Sequence, residues 1–576
     1  MFVILDHDVS QSEQQQGIIA RWLRWRGLEV LLILITLLLG ALHSWTGRYS
    51  MNPDGMSYLD VGDSFFRHNW TTAVNGWWSP LYPWIVGTVL GIAKPSPRSE
   101  FPLVHLVNFG IYVATLASFV FFLRGLRRFR SNEPQQRTVP GVPDWSLVPV
   151  AYSIFWWIAL EVETVYEVSP DLAVAACLFL SLGILIRLQP DDGVWKFAGL
   201  GLSLGLGYWT KTILFPLGFV TLAAAYWWRR SDPKWHRKIA VAAVVFACLS
   251  LPLILLLSKQ KGRFTFGDSG RVNYAWAVSP RSPTRNWQGR EPGSGNPVHP
   301  TRQLLQHPPL YEFDGPVVGT YPPWTDPSFW NEGLKPHFRL RPQIEVLLTT
   351  VSSELRLLTR AQPALVAGIT ALALLGGSAW CFNLATVWPL AAVAVAGMAA
   401  YLPLVENDRY LGGFLLVLFL LPLWAAQFSG GDMKVISYVL LGVFVSMALG
   451  TADYTVRVLT GHYATFGVGP SSTVNDSAAA EQLWQLGVRP GQKVGIIGDG
   501  TGAYWAYLAK LRIVAEIMDS GHGSREFWSS SPDVKNDVYK TFAAAHAIAV
   551  VAVCPREMPE DWRQLVGTPY CMRSVP

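Results

Sequence analysis

Long apolar runs broken by short charged turns fill the chain as far as residue 455. Eleven of them read as membrane helices, at 27–45, 102–123, 146–160, 170–188, 196–209, 211–228, 238–258, 362–382, 384–404, 409–427 and 434–455. Several fall short of the ~20 residues a straight helix needs to cross a ~30 Å hydrocarbon core. The run 196–228 carries Lys211 near its middle. One long helix there would bury an ammonium at mid-membrane, at a cost of several kcal/mol. Two short helices turning at Thr210-Lys211 place it near the interface instead. The segment 79–93 opens with two prolines and is short. It reads as an interfacial or re-entrant helix, with a true crossing as the second arrangement.

The pattern changes after about 475. VNDSAAAEQLWQLG reads as a helix, and 493–498, 512–518 and 547–553 as apolar strands. A further strand holds Tyr570, Cys571 and Met572, and helices lie over AYWAYLAKL and 533–545. Strands alternating with helices predict a small parallel sheet. The fold class is therefore a polytopic α-helical membrane protein with a small C-terminal α/β domain.

Composition agrees with that division. Of 576 residues, 51% are hydrophobic and 15% charged, against about 25% charged in an ordinary soluble domain. A disordered chain and a small disulfide scaffold are excluded. The net charge of +6 comes from clusters that report topology, not nucleic-acid binding. Arg21, Arg24 and Arg26 precede the first span; Arg124, Arg127, Arg128, Arg130 and Arg137 follow the second. Arg187 with Lys196, and Arg229, Arg230, Lys234, Arg237 and Lys238, mark later turns. All share one side if 196–228 is a hairpin and 79–93 does not cross, and that side is the cytoplasm. Residues 1–26 are then a cytoplasmic N-terminus, and 27–455 a domain in the plasma (inner) membrane. The loops 46–101 and 259–345 and an α/β domain at 470–576 face outward. The first span has no small-x-small cleavage site after it and reads as an uncleaved anchor. Cys554 and Cys571 lie at strand ends facing an oxidising exterior, where a disulfide and two unpaired thiols fit equally.

The outward turns carry the candidate chemistry. The first loop has Asp54 on a Pro-Asp-Gly turn, Tyr58 four residues on, and further acids at Asp60 and Asp63. The turn EVETVYEVSPDL crowds Glu161, Glu163, Glu167 and Asp171 at one membrane boundary. Packed carboxylates raise one another's pKa, which suits proton transfer or metal binding. Asp171 and Ser169 also fit a plain helix-capping role. Thr210-Lys211 forms the third outward turn, and VENDRY brings Glu406, Asp408, Arg409 and Tyr410 to the fourth. Two cations and many carboxylates at one membrane face suit an anionic lipid headgroup and a hydroxyl acceptor. In the C-terminal part, Gly498-Asp499-Gly500-Thr501-Gly502 follows a strand, with Asp519 after the next. That tempts toward a dinucleotide site, but the spacing is GxGxG, not GxGxxG. A structural cap or an acceptor-recognition module fits better.

These residues together resemble the GT-C superfamily of membrane glycosyltransferases, nearest the protein O-mannosyltransferases and the aminoarabinose transferases acting on lipid A. The resemblance spans about 27–427. It rests on D-x-x-x-Y (Asp54, Tyr58), S-P-L-Y-P (79–83), Asp171 opening a span, the Thr210-Lys211 tip and the Arg409-Tyr410 pair. It departs from the family in having Gly55 where many members continue an acidic doublet, and in having one proline before Leu81. The first departure leaves a divalent metal open as a cofactor. The WWDYG of oligosaccharyltransferases is absent. The resemblance implies a polyprenyl-phosphate sugar donor, an acceptor that is a lipid, polysaccharide or protein, and inversion at the anomeric carbon. Asp54 is then the general base and Asp171 a second catalytic carboxylate orienting Lys211 or the acceptor. Lys211 and Arg409 stabilise the leaving phosphate, with Tyr58, Tyr410 and Glu163 in the substrate site. The loop 259–345 becomes a lid, with Tyr274, Trp276, Trp287, Trp324 and Trp330 to stack on sugar. Its His299, His307 and His337 match no metal-ligand spacing. Two sequons, at Asn69 and Asn475, fall on the outward side. The rival readings are a non-catalytic scaffold and a transporter. The charges cluster at one boundary and no internal repeat is evident, which disfavours the transporter.

Overall fold

The computed structural model describes residues 27–132, 142–229, 232–278, 286, 295–313, 315, 319–329, 333–334, 338–360, 362–404, 407–426, 432–461, 470–518 and 523–575. Each of the eleven apolar segments falls on a helix. Five described helices are long and apolar enough to cross a membrane: Gly27–Thr46 (α1), Pro97–Arg130 within α5 (Pro97–Asn132), Asp144–Val162, Pro233–Lys261 (α10) and Met433–Leu459 within α17 (Asp432–Leu459). A sixth is added if Leu340–Thr359 and Pro363–Gly377, bent by 81°, form one span. The other apolar helices are shorter: α7 (Asp171–Leu185), α8 (Val194–Thr210), α9 (Leu214–Trp228), α15 (Trp388–Tyr401) and α16 (Gly412–Ala425). α16 is buried over nearly its whole length, so its neighbours shield it.

The run 196–228 divides at Lys211, as its charge requires. Lys211 takes an extended backbone, φ −158° and ψ 133°, between α8 and α9. The segment 79–93 forms α4 (Leu81–Ala93). At 1.5 Å per residue its 13 residues reach about 20 Å, short of a crossing. It lies flush on α2 (Pro53–Phe66), where a Cβ at Gly87 would meet the Gly62 carbonyl oxygen at 2.1 Å. Only glycine permits that approach.

One helix went unexpected. α13 (Leu340–Arg360) is amphipathic, and its Arg341, Glu345, Glu354 and Arg356 break the apolar run on which span detection relies.

The two ends of the bundle differ in charge. At one end Arg124 and Arg127 pair with Glu29, and Arg127 with Asp144, at 2.9, 3.4 and 2.5 Å. This gathers the start of α1, the end of α5 and the start of α6 (Asp144–Trp156). At the opposite end stand α2, α4 and a seven-stranded sheet, in the order β1-β2-β4-β3-β5-β7-β6. Its strands are Arg302–Leu305 (β1), Leu310–Glu312 (β2), Lys493–Ile497 (β3), Arg512–Ile517 (β4), Ala549–Val553 (β5), Arg563–Gln564 (β6) and Tyr570–Ser574 (β7). The expected parallel sheet is in fact mixed. Only β3 pairs in parallel, with β4 and β5; all other pairings are antiparallel. Helical crossovers link β3, β4 and β5, whereas β1 to β2 and β6 to β7 return through short turns. β1 and β2 come from the 259–345 loop. Cys554 and Cys571 are free thiols.

An apolar core fuses the sheet to the bundle. Met56, Leu59, Val86 and Phe101 pack in one cluster with Leu483, Trp505, Tyr507 and Ile513. Lys510 reinforces it with a 2.6 Å ion pair to the buried Glu100 of α5.

Candidate active site

Four separated segments deliver the polar residues. Pro53 starts α2 and leaves Asp54 in its first turn, with Tyr58 one turn further on. α6 widens into a π-helical turn at Trp157–Val162, and Thr164 follows with φ +55°. This irregular backbone turns Glu167 and Asp171 toward Arg409, a common use of π-turns at sites. The Asp171 amide donates to Ser169 Oγ at 3.4 Å, so Asp171 is itself capped and its carboxylate is left for other partners. A 3₁₀ turn at Asp408–Tyr410, capped by Asn407, presents Arg409 ahead of α16.

Asp54, Tyr58, Asp171, Lys211, Arg409 and Tyr410 line one cavity of about 870 Å³. Arg409 is its electrostatic centre, only 7% exposed. It donates to Asp54 Oδ2 at 2.7 Å, pairs with Glu167, and holds Asp171 Oδ2 at 3.4 Å through Nε. Lys211 Nζ donates to Asp171 Oδ1 at 2.6 Å and stands 3.6 Å from the Tyr410 ring centroid. Burial opposes the charge on Lys211, but Asp171, Tyr401 and Tyr410 together hold its pKa above the ordinary range. Burial, then Asp54 and Asp171, push the Tyr58 phenol well up, so it stays neutral. Its ring packs edge-on against Trp78 and Tyr82 at 4.8 and 5.2 Å.

Glu163 is placed differently from the other expected residues. It is buried behind the wall, where a Cβ on Gly412 would come within 2.5 Å of its Oε1, and it does not line this cavity. Glu167 does not line the cavity either, but it pairs with Arg409, which does. Both acids belong to the same crowded turn, and between them lies the left-handed Thr164, after the π-turn.

Much of the remaining wall is aromatic, beside Arg263, Arg271 and Asn273. Trp77, Trp78, Trp276 and Trp324 line it with Phe264 and Phe266. Trp324 Nε1 donates to Asp54 Oδ1 at 3.3 Å, so both oxygens of that carboxylate are bound. Sequence reasoning named Trp324 as a stacking residue only. Its link to Asp54 joins positions too far apart in the chain for any local pattern to report. Trp287, Trp330, His337, Glu406 and Asp519 lie outside the described residues. His299 bonds Ser328 Oγ at 2.8 Å and His307 bonds Glu526 at 3.0 Å. Among the described residues no three His, Cys, Asp or Glu side chains are grouped to hold a metal ion. Arg409 occupies the space between the three carboxylates.

No protein-family model and no curated protein matches the sequence. Solved structures do match. ArnT from Cupriavidus metallidurans bound to undecaprenyl phosphate is 12% identical, over 96% of this chain and 98% of that one, with a TM-score of 0.52. The same protein in its apo state is 13% identical, over 92% and 93%, with a TM-score of 0.48. AglB, the archaeal oligosaccharyltransferase of Archaeoglobus fulgidus in complex with an inhibitory peptide and a dolichol-phosphate, is 12% identical, over 91% and 69%, with a TM-score of 0.47. The match to lipid-bound ArnT runs nearly end to end in both chains, and this chain thus has the fold of ArnT.

Proposed function

We propose that the chain transfers a sugar from a polyprenyl-phosphate donor to an acceptor hydroxyl, with inversion, at the outer face of the membrane. The observation that carries this reading is the convergence of Asp54, Asp171, Lys211 and Arg409 on one aromatic-walled cavity. The presence of undecaprenyl phosphate in the ArnT structure supports the donor class. The cationic clusters at the opposite end of the bundle support an outward-facing cavity.

The acceptor oxygen bonds to the anomeric carbon as the bond from that carbon to the phosphate oxygen breaks. Asp54 takes the hydroxyl proton, and the lipid monophosphate leaves on the opposite side of the ring. Lys211 reaches the cavity from the α8–α9 turn with further N–H donors beyond the one on Asp171, and meets the phosphate charge as it develops. Arg409 adds its charge from behind and fixes Asp54 and Asp171 in one frame. Tyr58, Tyr410 and the tryptophans form an apolar, water-excluding wall for the sugar. Glu163 supports this floor from behind Gly412 without reaching the substrate.

The test is purified protein in lipid, given a panel of polyprenyl-phosphate sugars. Wild type is expected to bind a donor and transfer or hydrolyse it. Asp54→Asn is expected to lose about 10²–10⁴ in turnover, the range for removal of a general base, while donor binding persists. Turnover of Asp54→Asn within about tenfold of wild type removes Asp54 from that role. No donor bound by wild type overturns the class.

A further inference from the structure

The strap from Gly319 to Thr325 runs between α2 and the C-terminal sheet and is tied to both. On the α2 side, Asp60 accepts from the Thr320 amide at 2.9 Å and from its hydroxyl at 2.8 Å. Trp78 Nε1 and Asn75 Nδ2 donate to the Thr325 carbonyl at 2.8 and 3.3 Å. On the sheet side, the Ile513 amide donates to the Thr320 carbonyl at 2.9 Å. Tyr321 O–H donates to Glu516 Oε1 at 2.7 Å. The Tyr321 ring lies so close to Gly500 that a Cβ there would stand 2.2 Å from Tyr321 Cε2. Between these anchors the strap carries Trp324 to Asp54.

We infer that the C-terminal sheet positions the general base: Glu516 and Asp60 grip the strap from opposite sides, and Trp324 passes that fixed position to Asp54. Glu516, Tyr321 and Asp60 are positioning residues, because none of them lines the cavity. The effect on turnover rests on the function proposed above. A carboxylate turns easily about its terminal torsion, which is broad and two-fold. Arg409 restrains Oδ2 alone. A rigid indole donor on Oδ1 fixes the plane and leaves the unbonded lone pairs facing the cavity. Glu516 needs such an explanation, because it is fully buried in a strand whose neighbours Val514, Ala515 and Ile517 are apolar. A buried carboxylate is costly unless it is hydrogen-bonded; Asn286 Nδ2 also donates to Glu516 Oε1, at 3.4 Å, but the shorter bond is the one from Tyr321, and it ties Glu516 to the strap.

Tyr321→Phe tests the clamp, since it removes the hydroxyl and keeps the ring on Gly500. Hydrogen–deuterium exchange at 319–325 is expected to rise in that variant of the full-length protein. Turnover is expected to fall roughly 3- to 10-fold, the range for one hydrogen bond, with donor KM unchanged. Trp324→Phe should show a comparable fall, and the double variant should be no slower than Trp324→Phe alone. Glu516→Gln keeps an oxygen acceptor and should retain wild-type turnover, whereas Glu516→Leu should match Tyr321→Phe. Unchanged strap exchange in Tyr321→Phe overturns the clamp whatever the turnover. Independent, multiplying losses in the double variant overturn the route through Trp324. A wild type that transfers no sugar overturns the functional reading instead, and exchange alone then decides the clamp.

Discussion

Replacing Lys211 with methionine separates the structural work of the Lys211–Asp171 pair from its chemical work. The two side chains are 20% and 4% exposed and 2.6 Å apart. Removing one member of a buried pair costs ~3–5 kcal/mol, because the remaining charge is left uncompensated. Two features reduce that here. Lys211 keeps some solvent, and Arg409 Nε stays 3.4 Å from the other Asp171 oxygen. Lys211→Met should therefore cost about 2–3 kcal/mol, and Asp171→Asn, which strands the ammonium, a similar amount. The double variant leaves neither charge stranded. Its cost should fall well below the sum, with a coupling of about 2 kcal/mol between neighbours in one network. Apparent melting in detergent, followed at one scan rate because membrane proteins unfold irreversibly, measures the recovery. Turnover should behave otherwise. Losing a preorganised group at the leaving oxygen costs about 10²–10³ in rate, and the double variant does not restore that group. Recovered stability with turnover still depressed is the expected signature. If turnover returns with stability, Lys211 only balances Asp171, and the phosphate role assigned to it fails. If the double variant is as unstable as the two singles summed, the pair is not coupled in the fold.

Two further predictions follow from single groups. Arg409→Lys should lose at least about 10² in turnover although charge is conserved, because an ammonium cannot present the planar fork that spans three carboxylates; near-normal kcat would show that charge alone suffices. Burial holds the Asp476 carboxyl, which accepts from Tyr570 O–H at 2.8 Å, up at about 7 against an ordinary 3.8. The folded chain then binds more protons than the unfolded chain between those values, so this residue's contribution to stability falls as pH rises through that window. Asp476→Asn, which keeps an oxygen for Tyr570, should raise the melting temperature at pH above 7 and leave it unchanged below 3.8; equal shifts at both ends would refute the assignment.

The bundle was readable in the sequence because its signals are local. Apolar runs mark helices one at a time, and the cost of burying Lys211 in a single long helix was enough to place the α8–α9 turn. Charge parity then put Asp54, Asp171, Lys211 and Arg409 at one end, where the cavity joins them. Local reasoning failed where periodicity failed. Knowing that Glu167, not Glu163, meets Arg409 requires knowing that α6 ends in a π-turn and that Thr164 turns left-handed. α13 was missed because its charges hide an amphipathic face from a search for unbroken apolar runs. The mixed character of the sheet was out of reach for a different reason. β1 and β2 come from the 259–345 loop, far ahead of β4 in the chain, and pairing across that distance leaves no periodic trace.

The glycines at 498–502 show how one sequence pattern serves two physical demands. A nucleotide loop uses glycines to bring backbone amides close to a phosphate. Here the amides of Gly498, Thr501 and Gly502 are already engaged: Gly498 donates to the Ile517 carbonyl at 2.9 Å, and Asp499 accepts from the amide and the hydroxyl of Thr501 at 2.9 and 2.7 Å. The Gly502 amide donates to the Asp499 carbonyl at 3.2 Å. A carboxylate folded into the turn also disfavours an anion there. What needs glycine at position 500 is the Tyr321 ring, which leaves no room for a Cβ. Both demands are for close approach, and a pattern of glycines reports closeness without naming the partner. The partner here is a segment of the same chain that also carries Trp324. The motif that suggested a cofactor therefore bears on Asp54, through the strap that Gly500 admits.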